Sequence, residues 1–315
     1  MFCLSRPVFC VTVRLLHWKL LRHDHSAKSR RGIASVPLDW YPPRVTSPSD
    51  RPGTGPVPES EYDTFADIYP IWTDSAASAT ENLPFYLEEY LATEGPVVEL
   101  GVGDGRIAVE AASRGRTVIG VDRSSAMLAR CRERADRAGV LDHLTLIQAD
   151  FRDFDLQEPA GLIVIPYHSI GHLVTLARKH DTLRHIFTQL RPGGRFIFDD
   201  FFMTPAVSAY MRDVQLRASY QSVSGADRLL WVTSLIDEVS QSISVVTWED
   251  QLDRAGVMEQ RRYRRLSLSW LEPDQARALL VETGFTIEVC LGDFQGTPFD
   301  PTLASEQVWI ARTPD

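Results

Sequence analysis

The run Val97-Val98-Glu99-Leu100-Gly101-Val102-Gly103-Asp104-Gly105-Arg106 carries an apolar strand pattern into a glycine-rich turn and then into the helical segment 107–113. Glycines at such a turn permit backbone conformations and a close ligand approach that a Cβ would block. Two acids follow at the ends of later strand patterns. Asp122 closes Val118-Ile119-Gly120-Val121, where a carboxylate can accept both hydroxyls of a ribose. Asp150, in Leu146-Ile147-Gln148-Ala149-Asp150-Phe151, can accept from an adenine amine while Phe151 covers the ring. The chemistry suited to this set is recognition of a nucleoside. The turn reads G-x-G-x-G and lacks the glycine at the sixth position of the dinucleotide pattern. A ribose-binding acid serves NAD equally well, so Asp122 by itself leaves an NAD-dependent oxidoreductase open.

A second cluster lies beyond the fourth strand pattern, in Ile165-Pro166-Tyr167-His168-Ser169-Ile170-Gly171-His172-Leu173. Ligands of open α/β sheets bind outside the carboxyl ends of the strands, so this segment is expected to face the reacting group. His172 is the first candidate for a general base and His168 the second, because imidazole accepts a proton near neutral pH. A competing role for His172 is simply to hydrogen-bond the backbone at a helix start. Tyr167 is placed against the ligand.

The elements that must position these residues alternate. Short apolar runs at 97–100, 117–121, 144–148, 162–165 and 195–198 are separated by segments of helical period, which implies a parallel sheet covered on both faces. Ser124 or Ser125 opens the helix 124–138, and Gly139 stops it. Two amphipathic helices precede the first strand, one carrying Tyr62, Phe65, Ile68 and Tyr69 and the other spanning 83–91. After Phe202 the period changes to two across 216–222, 229–237, 242–252 and 258–269, broken at Ser224-Gly225 and Ala255-Gly256. That pattern predicts an antiparallel meander inserted at 203–270. A helix over 273–283 ending at Gly284 and strands over 286–294 and 307–312 complete the chain. Arg261, Arg262, Arg264 and Arg265, alternating with Tyr263 and Leu266, are expected on a solvated strand edge.

Composition bounds the rest. The 315 residues carry a formal charge of −9, but residues 1–37 contribute +6 through seven Lys and Arg against Asp24, leaving −15 on the remainder. An acidic body lacks the basic footprint of a nucleic-acid enzyme and suits small or cationic partners, so no nucleic-acid partner is expected. Cys3, Cys10, Cys131 and Cys290 form no metal-ligand or disulfide pattern, which points to no metal and to the cytoplasm. Residues 8–21 are too short and too charged to span a bilayer, so no membrane partner is expected. The basic tail shares its composition with organellar transit peptides, although a dispensable start is the preferred reading. With the Pro-rich stretch 36–59 it is expected to form a disordered or weakly ordered extension and linker over 1–59, the catalytic domain being 60–315.

Four ordered motifs, E-L-G-V-G-D-G-R, G-V-D-R-S-S-A-M-L, Q-A-D-F-R-D-F and L-R-P-G-G-R-F-I-F, make residues 60–312 resemble the class I S-adenosylmethionine-dependent methyltransferase family. The S-I-G-H-L segment is similar to that of small-molecule N-methyltransferases of the aminosugar and glycine type. The resemblance implies a Rossmann-like, seven-stranded, mainly parallel sheet with helices on both faces, N-terminal lid helices and the β-meander insertion as a substrate lid. It implies S-adenosyl-L-methionine as cofactor, with Gly101 and Gly103 against the methionine part, Asp122 on ribose, and Asp150 and Phe151 on adenine. Met127 would pack near adenine, a role that competes with plain core packing on an amphipathic helix. Glu99 would orient the loop or the cofactor ammonium, or merely brace the loop. Tyr69 would reach cofactor or substrate with its hydroxyl, or serve as a core aromatic. The implied activity is methyl transfer to a small molecule, an amine first, with O- or C-methylation or a non-catalytic cofactor-binding subunit as alternatives. A monomer or homodimer is expected.

Overall fold

The computed structural model describes residues 60–75, 77–222 and 225–315; the extension and linker expected over 1–59 lie outside the described residues, as does Ser224 of the expected break. Strands β1 (Val97–Leu100), β2 (Val118–Asp122), β3 (Leu144–Gln148), β4 (Ala160–Ile165), β5 (Leu190–Phe201), β10 (Thr286–Leu291) and β11 (Glu306–Arg312) form one sheet in the order β10-β11-β5-β4-β1-β2-β3. All neighbours pair in parallel except β10 with β11 and β11 with β5. The expected seven-stranded, mainly parallel sheet is present.

Alternate side chains of each strand point to opposite faces, and both faces are apolar. Val98, Leu100, Ile163, Ile165, Phe196 and Phe198 pack with α5 (Leu176–Gln189) and α7 (Pro273–Thr283). Val97, Val118, Leu162, Val164 and Ile197 pack with α2 (Ala77–Ala92), α3 (Ala108–Ala112) and α4 (Ser125–Ala138). The caps read from the sequence operate here: the Ser124 hydroxyl accepts from the Met127 N–H, and Gly139 ends α4 with φ 69°.

The meander is a separate four-stranded antiparallel sheet in the order β6 (Gln215–Gln221), β7 (Asp227–Asp237), β8 (Ser242–Leu252), β9 (Met258–Ser269). Its inner face packs Leu230, Val232, Val245, Leu266 and Leu268 against Phe65 and Ile68 of the N-terminal segment. Each such fully buried side chain contributes about 1.5–3 kcal/mol, and Phe65 and Ile68 are buried almost completely. That segment is less regular than its apolar spacing predicts, being a 3-10 turn at Glu61–Thr64 followed by α1 (Tyr69–Asp74).

Two further departures have local causes. Thr204-Pro205 starts α6 (Pro205–Arg212), its hydroxyl accepting from the Val207 N–H, where the change to period two pointed only to strands. The arginine cluster does lie on edge strand β9, but Arg264 is not solvated. Its side chain is 1% exposed, donating to the Thr64 carbonyl at 2.8 Å and to Asp67 at 2.8 Å, with Glu249 at 3.5 Å. Period two turns Arg264 to the inner face, opposite to Arg261 and Arg265, of which Arg261 pairs with Asp250; Arg262, exposed nearer the start of the strand, shares the face of Arg264 and also reaches Asp67.

Candidate active site

Beyond the carboxyl ends of β1, β2 and β3 lies a cavity of about 270 Å³. Gly101 and Gly103 form its floor with φ of 76° and 56°, in the left-handed region that glycine enters freely. A Cβ on Gly101 would meet Phe151 and Ser169 at 3.2 Å, and one on Gly103 would lie 3.3 Å from the Met127 methyl. The absent side chains are the cradle.

Asp122 at the end of β2 accepts from the Gly103 N–H at 2.9 Å and the Ser124 N–H at 2.8 Å. Burial pushes its carboxyl up to about 6 against these two hydrogen bonds, with Asp63 adding to the rise. Each oxygen keeps a lone pair for a ligand hydroxyl. Asp150 differs. Burial pushes its carboxyl up, but the hydrogen bonds from Arg152 and the charge of Arg123 outweigh it and hold Asp150 below the ordinary range. Phe151 and Met127 supply apolar walls on either side.

The roof comes from the N-terminal segment. Asp63 accepts from the Ser124 hydroxyl at 2.6 Å and the Ser60 N–H at 3.0 Å, docking the 3-10 turn on the start of α4. Glu61 accepts from the Ser267 N–H and hydroxyl at 2.8 and 2.9 Å, docking the same turn on β9. Between these anchors Tyr62 enters the cavity, its hydroxyl 3.0 Å from His172 Nε2. Burial, with Lys179 nearby, lowers the His172 pKa to about 4, and the ring also hydrogen-bonds the Ser267 backbone. Burial raises both Tyr62 and Tyr69, so their hydroxyls stay protonated. Nε2 is therefore the acceptor and Tyr62 the donor.

Of the residues singled out in the sequence, Gly101, Gly103, Asp122, Met127, Asp150, Phe151, Tyr69 and His172 line this one cavity. Glu99, Tyr167 and His168 do not. Glu99 is buried beneath the loop, accepting from the Tyr90 hydroxyl at 2.9 Å, and burial pushes its carboxyl up to about 8. Tyr167 sits under the Arg106 guanidinium, 5.6 Å from the ring centre. His168, the second candidate base, is committed elsewhere: Nε2 meets Glu306 at 2.7 Å, and although burial lowers its pKa, the Glu306 charge and hydrogen bond raise it to about 9. Tyr62 was the residue missed. The helical spacing that contains it is in the sequence, but only folding shows which tyrosine meets His172.

A glycine cradle, the carboxylates of Asp122 and Asp150 and apolar walls from Met127 and Phe151 have the chemistry to hold S-adenosyl-L-methionine. Among the described residues no group of three or more side chains is placed to hold a metal ion, and no helix is long and apolar enough to cross a membrane.

Comparisons with known proteins bear on the domain and the fold. Residues 97–194 match the family described as a methyltransferase domain. The carboxy-S-adenosyl-L-methionine synthase of Aliivibrio fischeri (strain MJ11) is 25% identical over 205 residues, 64% of this chain and 80% of that protein. The CcbJ methyltransferase from Streptomyces caelestis shares the fold with a TM-score of 0.67 at 23% identity, over 82% of this chain and 99% of that one. The sugar N-methyltransferase KedS8 from Streptoalloteichus sp ATCC 53650 does so with a TM-score of 0.60 at 18% identity, over 86% and 100%. Residues 97–194 are thus a methyltransferase domain, set in a Rossmann-like sheet whose fold is shared with S-adenosylmethionine-dependent methyltransferases.

Proposed function

We propose that the chain methylates an amine on a small acceptor held beneath the Glu61–Thr64 turn and β9, with Tyr62 and His172 facing the reacting nitrogen. The observation that carries this reading is the 3.0 Å hydrogen bond between them, in the wall of the cavity that also holds Gly101, Gly103 and Asp122. When bound, S-adenosyl-L-methionine supplies a methyl on a sulfonium whose sulfur leaves as a neutral thioether. The protein therefore needs no acid on the leaving side. Its work is to hold the nucleophile near attack distance and to receive its proton.

The tyrosine hydroxyl donates its hydrogen bond to His172 Nε2 and keeps its oxygen lone pairs for an acceptor N–H. An imidazole with a pKa near 4 stays neutral at physiological pH and is always available as acceptor. It is a poor proton store, so the pair contributes more through orientation of the nitrogen lone pair than through base strength. Water carries the proton away.

The acidic chain favours approach of a cationic amine. The cavity is near the lower end of small-molecule pockets, about 300–1,000 Å³, which suits a compact acceptor. Ser60, Tyr62 and Ser267 in its wall support the N-terminal segment and the 203–270 insertion as a substrate lid. The free thiols Cys131 and Cys290 support a cytoplasmic setting.

The test is transfer of labelled methyl from S-adenosyl-L-methionine to panels of small amines, amino sugars included, and of phenols. Label is expected in amines. Label confined to phenols would replace nitrogen by oxygen as the acceptor.

A further inference from the structure

Tyr167 and His168 are consecutive residues with φ of 58° and 55°. A side chain bearing a Cβ enters this left-handed region only when its surroundings hold it there. One carboxylate holds both: the Tyr167 N–H donates to Asp199 Oδ1 at 2.9 Å and the His168 N–H to Oδ2 at 2.8 Å. Successive N–H groups in such a conformation form a concavity that favours an anion. Asp199 lies fully buried on β5 and accepts as well from the Tyr86 hydroxyl of α2, at the oxygen that also takes the Tyr167 N–H. The His168 ring is held in turn by Glu306 at 2.7 Å and by stacking on Phe201 at 4.0 Å.

Directly after this pair comes the 3-10 turn Ser169–His172, which has no side-chain cap of its own. Its supports come from outside the turn. Lys179 Nζ donates to the Ile170 carbonyl at 2.7 Å, and the Ser269 hydroxyl reaches the Gly171 and Leu173 carbonyls at 3.4 and 3.3 Å. At the entry of the turn Asp199 takes the two left-handed N–H groups themselves, while the Ser169 hydroxyl closes across the pair onto the Pro166 carbonyl at 2.7 Å.

We infer that Asp199 is a positioning residue for methyl transfer: by clamping the left-handed pair Tyr167–His168 it directs the turn that presents His172 to Tyr62 and to the cavity. The inference rests on the reading of His172 given above, but its test does not need the acceptor. In protein labelled at histidine, the His172 ring resonances followed from pH 5 to 8 are expected to stay those of a neutral ring in the native chain. In Asp199→Asn, where an amide donor faces the two N–H groups, the turn opens to water and His172 begins to titrate inside that window, near the ordinary value of about 6.5.

Tyr167→Val attacks the same clamp from the backbone, with a β-branched residue at positive φ, and leaves the carboxylate in place; the same onset of titration is expected. Adding Tyr167→Gly and His168→Gly to Asp199→Asn is expected to return His172 toward its native behaviour, because glycine needs no holding at either position. If Asp199→Asn does not fold, Tyr167→Val alone decides. A His172 ring that stays neutral to pH 5 in the folded variants would overturn the inference. Unchanged methyl transfer in His172→Ala would instead overturn the functional reading and leave the titration result standing.

Discussion

The Tyr62 hydroxyl and His172 Nε2 meet at 3.0 Å although the residues are 110 positions apart. The first rides on a turn anchored by Asp63 and Glu61, the second on a turn beyond β4, so the pair forms only when the N-terminal segment is docked. Removing either partner tests their joint role. His172→Ala is expected to lower kcat by about 100-fold and Tyr62→Phe by about tenfold, within the range of proton-handling groups. Because they act as a unit, the double variant should lose little more than His172→Ala alone. Steady-state kinetics on a methylated amine, with cofactor affinity measured separately, checks this.

Gly101→Ala should abolish cofactor binding with little loss of fold. The added Cβ meets Phe151 and Ser169 at 3.2 Å on a backbone with φ 76°. The strain costs about 1–2 kcal/mol, so the melting temperature falls modestly. Calorimetry with S-adenosylhomocysteine should show no measurable heat.

Asp122 makes cofactor binding pH-dependent. Its carboxyl sits at about 6 in the free protein, raised first by burial. Above that value it is an ionised acceptor for ribose hydroxyls; below it a proton occupies one acceptor site. Affinity should fall by about tenfold between pH 7 and pH 5. In Asp122→Asn the affinity should be low at both.

His168 ties stability to alkaline pH. Its folded pKa is about 9 against about 6.5 unfolded. The stabilisation is therefore complete below about 6.5 and is lost as pH rises through 9. The window is worth on the order of 3 kcal/mol. Urea midpoints measured from pH 6 to 10 should fall across it in the native chain and remain nearly flat there in Glu306→Gln.

Arg264→Met should destabilise the chain by about 3 kcal/mol, because the Thr64 carbonyl and Asp67 lose their donor and buried Glu249 is left with Arg228 as its one cation. Arg265→Met, on the exposed face of the same strand, should change the urea midpoint little.

The parallel sheet and the residues that gather at the floor of the cavity were legible in the sequence because both are local. Val97, Val98 and Leu100 give β1 apolar side chains on both faces, the glycines sit directly after it, Asp122 ends β2 and Asp150 follows β3 by two residues. β5 runs from Leu190, well ahead of the apolar run at 195–198, because Arg191-Pro192-Gly193-Gly194 reads as a turn while the chain keeps pairing with β4 through a register shift. α6 carried its signal in Thr204-Pro205 but is too short to override the alternation that follows. The acceptor half was less legible. His172 could be named from its segment, whereas Tyr62, the burial of Arg264 and the capture of His168 by Glu306 depend on elements brought together from distant sequence.

The central claim is that the cofactor lies along Asp150, Asp122 and Gly103 with its sulfur turned toward the Tyr62–His172 pair. A crystal structure of the complex with S-adenosylhomocysteine tests it most directly. Adenine should lie between Phe151 and Met127, the ribose hydroxyls on Asp122, and the sulfur should face the Tyr62 hydroxyl with room for a methyl and an acceptor atom between them. A ligand whose sulfur points away from Tyr62 and His172, or whose ribose does not touch Asp122, would contradict it.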